Sequence, residues 1–251
     1  MSPPSHLYSS IYMILISTHK KFAKRIGVLG GMGPRASCYL YGRMISLVQD
    51  LYGAIQDEDY PHILIYNLPM VGFDETGFAV PDMVKNQLVT GLQTLECAGA
   101  DFIFMACNTV HYYHRFLQQQ IGVPLLNIIE ETVKRVAAEN HNKVGLLSSE
   151  STHKLQLYQI ACWQYGLEVV SVNEKEQKIL NYVILQVMAG RQSRHEVALM
   201  KPVIEKMQQA GVSAIILGCT ELPLVIQQSD VNLSLFNSSE IITRVALEYA
   251  L

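Results

Sequence analysis

Arg25-Ile26-Gly27-Val28-Leu29-Gly30-Gly31-Met32-Gly33-Pro34 is the stretch on which the fold reading turns. A short apolar run, a cluster of glycines and a proline suited to a first helical turn read as strand, loop, helix. The helix is expected over residues 36 to 48, followed by a strand from His62 to Asn67. A second helix is expected from Met83 to Cys97, stopped by Gly99, and then a buried strand from Asp101 to Ala106. Strands separated by helices of about 12 residues indicate βαβ units around a mainly parallel sheet, covered on both faces.

The second half repeats this grammar. Lys143-Val144-Gly145-Leu146-Leu147 echoes Arg25-Ile26-Gly27-Val28-Leu29. Ala98-Gly99-Ala100-Asp101 with Ile103 and Cys107 is echoed by Ala210-Gly211-Val212-Ser213 with Ile215 and Cys219. Leu125-Leu126-Asn127 with Glu130 is echoed by Leu235-Phe236-Asn237 with Glu240. Three matches in one order, displaced by 110 to 118 positions, predict an α/β fold of two lobes related by a pseudo-two-fold axis, with the active site in the cleft between them. The expected division is an extension over residues 1–23, a first lobe over 24–122 that 238–251 would complete, and a second lobe over 123–237.

Composition narrows the class. Of 251 residues, 49% are hydrophobic and 16% charged, which excludes a disordered chain. A net charge of −3 lacks the basic excess of a nucleic-acid binder. The apolar run Leu7 to Ile16 is shorter than the ~20 residues that cross a bilayer, and its basic residues follow rather than precede it, so neither a membrane anchor nor a secretory signal is expected. Five cysteines suit a reducing, cytoplasmic setting better than a disulfide scaffold.

Ligands gather at the carboxyl ends of parallel strands, where Cys107 and Cys219 both fall, at matching points of the two halves. A lone cysteine there is usually a small core residue. Two at symmetric positions, each followed by polar residues (Asn108-Thr109 and Thr220-Glu221), suit inversion at a stereocentre, with one thiolate removing a proton and one thiol returning it from the far face. The polar residues are expected to begin and cap the following helices and to offer amides to a substrate carboxylate. Cys38, Cys97 and Cys162 read as helix-packing residues. Gly31-x-Gly33-x-x-Ala36 also fits a dinucleotide fingerprint, but the second strand ends at Asn67, without the acidic residue that would hold a ribose. His111 and His114, three apart with no carboxylate between them, read as a surface or supporting pair rather than metal ligands, and no metal is expected.

Together, Gly30-Gly31-Met32-Gly33-Pro34, Cys107-Asn108-Thr109-x-His111 and Gly218-Cys219-Thr220-Glu221-Leu222 resemble the aspartate/glutamate racemase superfamily, over Lys24 to Leu251, and within it the aspartate racemase branch. The resemblance implies a cofactor-independent racemase, free of pyridoxal phosphate, acting on an acidic amino acid, most naturally aspartate, and often homodimeric. Cys107 and Cys219 would be its two bases. Substrate binding would fall to Met32, Gly33, Asn108, Thr109, Thr220 and Glu221, with Ser149 and Thr152 as hydroxyl donors and Lys178, before an apolar helix from Ile179 to Val187, facing a side-chain carboxylate. The chain departs from the family pattern at Ala106, Ser148, Asn237 and Ile242, and has no arginine between Ile63 and Asp82. The alternatives that the resemblance leaves open are a broad-specificity amino-acid or hydantoin racemase, or a maleate isomerase-like enzyme in which one cysteine adds to an alkene, whereas related decarboxylases keep one cysteine. An inactive or dinucleotide-binding protein is the alternative of another class.

Overall fold

The computed structural model describes residues 22–251, so most of the expected extension lies outside the described residues. From Ile26 the chain runs β1 (Ile26–Gly30), α1 (Pro34–Tyr52), β2 (Ile63–Asn67), β3 (Phe73–Asp74), β4 (Gly77–Phe78), α2 (Pro81–Cys97) and β5 (Phe102–Met105). A 3-10 turn (Thr109–Tyr113), α3 (His114–Gln118), β6 (Leu125–Leu126) and α4 (Ile128–Ala138) lead to the second half. There follow β7 (Lys143–Ser148), α5 (Glu150–Lys154), α6 (Leu157–Gln164), β8 (Glu168–Ser171), α7 (Glu174–Met188), α8 (Arg194–Gln209), β9 (Ala214–Gly218), a 3-10 turn (Leu222–Leu224), β10 (Ser234–Asn237) and α9 (Ser238–Ala250).

Two parallel four-stranded sheets carry the repeat. Their orders are β2-β1-β5-β6 and β8-β7-β9-β10, so each strand of the first sheet has its counterpart at the same place in the second. The symmetry read from the sequence is thus the symmetry of the topology. Leu125-Leu126, assigned above to the start of the second lobe, pairs instead with β5 as the edge of the first sheet. The reason is local: Ile103 N–H already bonds Pro124 C=O, which draws the next two residues into register.

Strand residues bury both faces with period two. Ile26, Val28, Phe102 and Phe104 join Val144, Leu146, Ala214 and Ile216 in one apolar core, with α1, α4, α6 and α9 completing it. The alternate residues Leu29, Ile103 and Met105 pack against α2, while Leu147, Ile215 and Leu217 pack against α7 and α8. The two lobes therefore share their central layer. Between them α9 packs on α1 and on α4, and its partner strand β10 belongs to the second sheet, so the chain's last helix ties both halves together. Ile242, one of the departures from the family pattern, is buried in this shared core.

Candidate active site

Both strand-end cysteines lie at the carboxyl edges of their sheets, following β5 and β9, and are 6% and 8% exposed. Burial raises both thiols. Cys107 is pushed up to about 12, against opposing pulls from the Val110 and Thr109 amides. Cys219 lies well above its usual range, chiefly by burial and then by the charge of Glu221. Amides beside Cys107 favour its thiolate, but desolvation outweighs them. The sites are electrically joined, since Cys107 raises Cys219 and Glu221 raises both sulfurs.

Glu221 is the hinge of this arrangement. It is buried, and its Oε2 accepts from Cys219 Sγ at 3.1 Å and from Thr220 Oγ1 at 3.0 Å, while its Oε1 accepts from Gly33 N–H at 3.3 Å in the other lobe. Burial raises its own carboxyl above the ordinary range. A β-carbon on Gly33 would stand 3.1 Å from Glu221 Oε1 and 3.7 Å from Met188, so a side chain here would press on the carboxylate. Gly31 holds φ +96° against the Leu68 backbone, a place for glycine alone. Its N–H is taken by Ser37 Oγ at 2.9 Å, and Ser37 in turn donates to Gly33 C=O at 3.1 Å. Two loop amides are thus engaged internally here, Gly31 N–H by Ser37, a serine that the glycine-centred reading passed over, and Gly33 N–H by Glu221. Met32 is buried in the core beneath the loop.

Asn108 and Thr109 do not cap a helix through their side chains; a short 3-10 turn follows Cys107, and they reach across to the second lobe instead. Thr109 Oγ1 meets Thr152 Oγ1 at 2.8 Å, and Ser149 Oγ and Ser151 Oγ each at 3.2 Å, forming a buried hydroxyl cluster. Ser149 also caps α5 through Thr152 N–H. Asn108 accepts from Tyr158 O–H at 2.7 Å and donates to Ser238 Oγ at 3.2 Å, and Ser238 donates to Leu217 C=O. Thr220-Glu221 likewise precede a 3-10 turn without a side-chain cap. Ser151, Tyr158 and Ser238 were not singled out from sequence; the serine-rich run Ser148-Ser149-x-Ser151-Thr152 was the available signal.

Other expectations resolve as follows. Lys178 lies inside α7 rather than ahead of it, exposed, on a cavity shared with Glu150, His153 and Glu174. Asn237 caps α9 as Asn127 caps α4, so the residue replacing the family's aspartate keeps a structural task in both halves. Ser148 is buried and donates to Ser149 C=O. His111 is buried, not superficial: its Nδ1 meets Cys107 C=O at 2.8 Å and its Nε2 accepts from Ile128 N–H at 3.2 Å. Both ring nitrogens are used, burial pushes the imidazolium down to about 3, and no metal-binding cluster exists among the described residues. Cys38 and Cys97 are exposed, contrary to their reading as packing residues, because each falls on the outer face of an amphipathic helix; Cys162 is buried as expected. No helix of the described residues is long and apolar enough to cross a membrane.

The Asp/Glu/Hydantoin racemase family model matches residues 29–246. The chain is 33% identical over 214 residues to the broad specificity amino-acid racemase RacX of Bacillus subtilis (strain 168), covering 85% of this chain and 92% of that one. Among solved structures, an aspartate racemase homologue from Pyrococcus horikoshii OT3 superposes with TM-score 0.76 at 30% identity, covering 90% of this chain and 99% of the other. The aspartate racemase of Picrophilus torridus gives TM-score 0.76 at 26% identity, covering 90% and 94%.

Proposed function

Because the chain belongs to the Asp/Glu/Hydantoin racemase family, we infer that it racemises an amino acid by a two-base route, with Cys107 and Cys219 on opposite faces of the α carbon. The observation that carries this reading is the placement of two buried cysteines at equivalent strand ends of two symmetry-related sheets. One thiolate takes the α proton, leaving the electron pair on a carbanion. The opposite thiol then delivers its proton from the other face, and the two sulfurs exchange protonation states. The route needs no cofactor. Glu221, accepting from the Cys219 thiol, provides a place for that proton when Cys219 must act as the base.

Asn108, Thr109, Ser149, Thr152 and Thr220, with the Met32–Gly33 loop, are proposed to hold the α-carboxylate and amino group once the cleft opens to admit them. Opening belongs to this proposal, since Cys107 and Cys219 are buried in this form. The preferred substrate is an acidic amino acid, aspartate first, with Lys178 available to a side-chain carboxylate; the protein is proposed to act as a cytoplasmic homodimer. Similarity to RacX favours a second reading, in which side chains of several kinds are accepted.

Solvent deuterium incorporation at Cα, measured from both enantiomers of aspartate and of a neutral and a basic amino acid, tests the reading. Cys107→Ser and Cys219→Ser should each abolish racemisation. If both variants turned over normally, the two-base assignment would be wrong.

A further inference from the structure

His111 belongs to the motif that follows the first cysteine, yet the reaction described above gives it no task. It is buried, and both of its ring nitrogens meet backbone groups. Nε2 stands 3.2 Å from Ile128 N–H, which can only donate, so Nε2 is the bare nitrogen and Nδ1 carries the proton. That proton goes to Cys107 C=O at 2.8 Å. Two backbone groups of opposite kind thus set the tautomer.

Both ends of this bridge are anchored. Ile128 opens α4 and is buried in the core shared by the two lobes. Asn127 Oδ1 takes the next two N–H groups of that helix, from Ile129 and Glu130, which leaves Ile128 N–H to the imidazole. His114 stacks on the ring at 5.9 Å and 10°, and donates from Nε2 to Leu125 C=O at 2.7 Å. At the other end, Cys107 stands between the pairing of β5 with β1, which reaches Met105, and the 3-10 turn that starts at Thr109. His111 closes that turn twice, through its own N–H to Asn108 C=O at 3.1 Å and through its ring to Cys107 C=O. The Thr109 and Val110 amides of the same turn are the ones that meet the Cys107 sulfur. The second lobe is built differently at the matching point: Cys219 C=O accepts from Leu222 N–H at 3.2 Å, Pro223 stands in place of the histidine, and Glu221 meets the sulfur directly.

We propose that His111 is the positioning residue of Cys107. By tying the cysteine's carbonyl to the first amide of α4, it sets the direction of the sulfur and of the amides around it. The inference rests on the two-base reading and adds to it a residue that never meets substrate.

Two substitutions split the bridge. In His111→Asn an amide N–H falls near the position of Nδ1 and keeps the bond to Cys107; in His111→Gln the amide oxygen falls near the position of Nε2 and keeps the bond to Ile128. Each variant loses one hydrogen bond, so their urea midpoints should fall alike. His111→Gln is expected to lower kcat about tenfold or more with KM changed by less than about twofold, the scale on which a misplaced reacting group costs rate. His111→Asn is expected to recover most of that loss. With both α-deuterated enantiomers of the amino acid that exchanges, the isotope effect on kcat/KM should rise in His111→Gln for the enantiomer whose proton Cys107 removes and fall for the other, because only the Cys107 step has slowed. His114→Gln, at a half-buried position, loosens the ring without removing either bond; it should split the isotope effects in the same sense but less, and carries the test where His111→Gln does not fold. Equal losses of kcat in His111→Asn and His111→Gln, or isotope effects that move together for the two enantiomers, overturn the proposal and leave the two-base reading intact. Normal turnover in Cys107→Ser removes that reading, and this inference with it.

Discussion

Glu221→Gln separates charge from shape at the heart of the site. The amide keeps an oxygen for Gly33 N–H, so the seam between the lobes survives, but it removes the carboxylate that faces Cys219 Sγ at 3.1 Å. Both the charge of Glu221 and the hydrogen bond from the thiol hold Cys219 in its protonated form, so removing them lowers the thiol pKa. Two unit charges about 4 Å apart interact by about 4 kcal/mol at an effective dielectric of about 20, and by about 1 kcal/mol in bulk water. The substitution therefore moves the thiol pKa down, by more in the closed, water-poor site than in an open one. Cys219 nevertheless stays above the ordinary thiol range, because burial is the larger cause. The assay is the pH dependence of iodoacetamide modification at Cys219, read by peptide mass spectrometry, with exposed Cys38 and Cys97 in the same digest as controls for the reagent. Activity should fall about 100-fold or more, the scale on which a positioned proton acceptor contributes. A midpoint that stays put or rises would refute the reasoning, since it would mean that the carboxylate carries no charge where the thiol titrates.

Other expectations follow from the same contacts. Tyr158→Phe strips Asn108 Oδ1 of its 2.7 Å donor and should cost about 1–3 kcal/mol in urea unfolding, with a fall in kcat/KM as Asn108 loses its orientation. Gly218→Ala would set a β-carbon 2.7 Å from the Tyr158 ring and 3.0 Å from Leu146, so overpacking should destabilise by about 1–3 kcal/mol and displace Cys219, seen as a lower melting temperature with reduced activity. His111, buried and neutral down to about 3, is protonated in the unfolded chain below about 6.5, so the folded state loses stability as pH falls through that window. His111→Asn should flatten the melting temperature between pH 6.5 and pH 4 relative to wild type; an unchanged acid slope would show that other groups carry it.

The parts of the fold legible in the sequence were those written in local pattern and repeated. Short apolar runs, each preceded or opened by a basic residue, marked β1 and β7, and the ordered echoes marked two sheets whose strand orders match. Cys107 and Cys219 could be read because each stands at a strand end with a counterpart in the other half. Long-range side-chain geometry was not legible. Nothing local to Gly33 announces that its N–H serves Glu221, 188 positions away, or that Ser37 fills Gly31 N–H. Capping was misjudged for a related reason: Asn108 and Thr109 have cap-forming side chains, but partners from the second lobe won them. Asn127 and Asn237 keep their Oδ1 for the first N–H groups of the helices that follow and do cap them.

Those lost caps have a consequence for how the cleft works. A side chain bonded to its own helix would have left Asn108 and Thr109 indifferent to the position of the other lobe. Bonded instead to Tyr158, Ser238 and the Ser149-Ser151-Thr152 cluster, they register whether the lobes are together, as Glu221 does through Gly33. The shared core of α1, α4, α6 and α9 joins the two sheets independently of these polar contacts. In the closed state the seam groups satisfy one another and the thiols are kept neutral by burial. In the proposed reaction a substrate carboxylate and ammonium replace those bonds one for one, because a polar group left unpaired there costs about 1–3 kcal/mol. On that proposal the seam itself favours an amino acid over other carbon acids, because a ligand carrying both an acceptor and a donor group at its α carbon can take over hydroxyl and amide partners on both lobes.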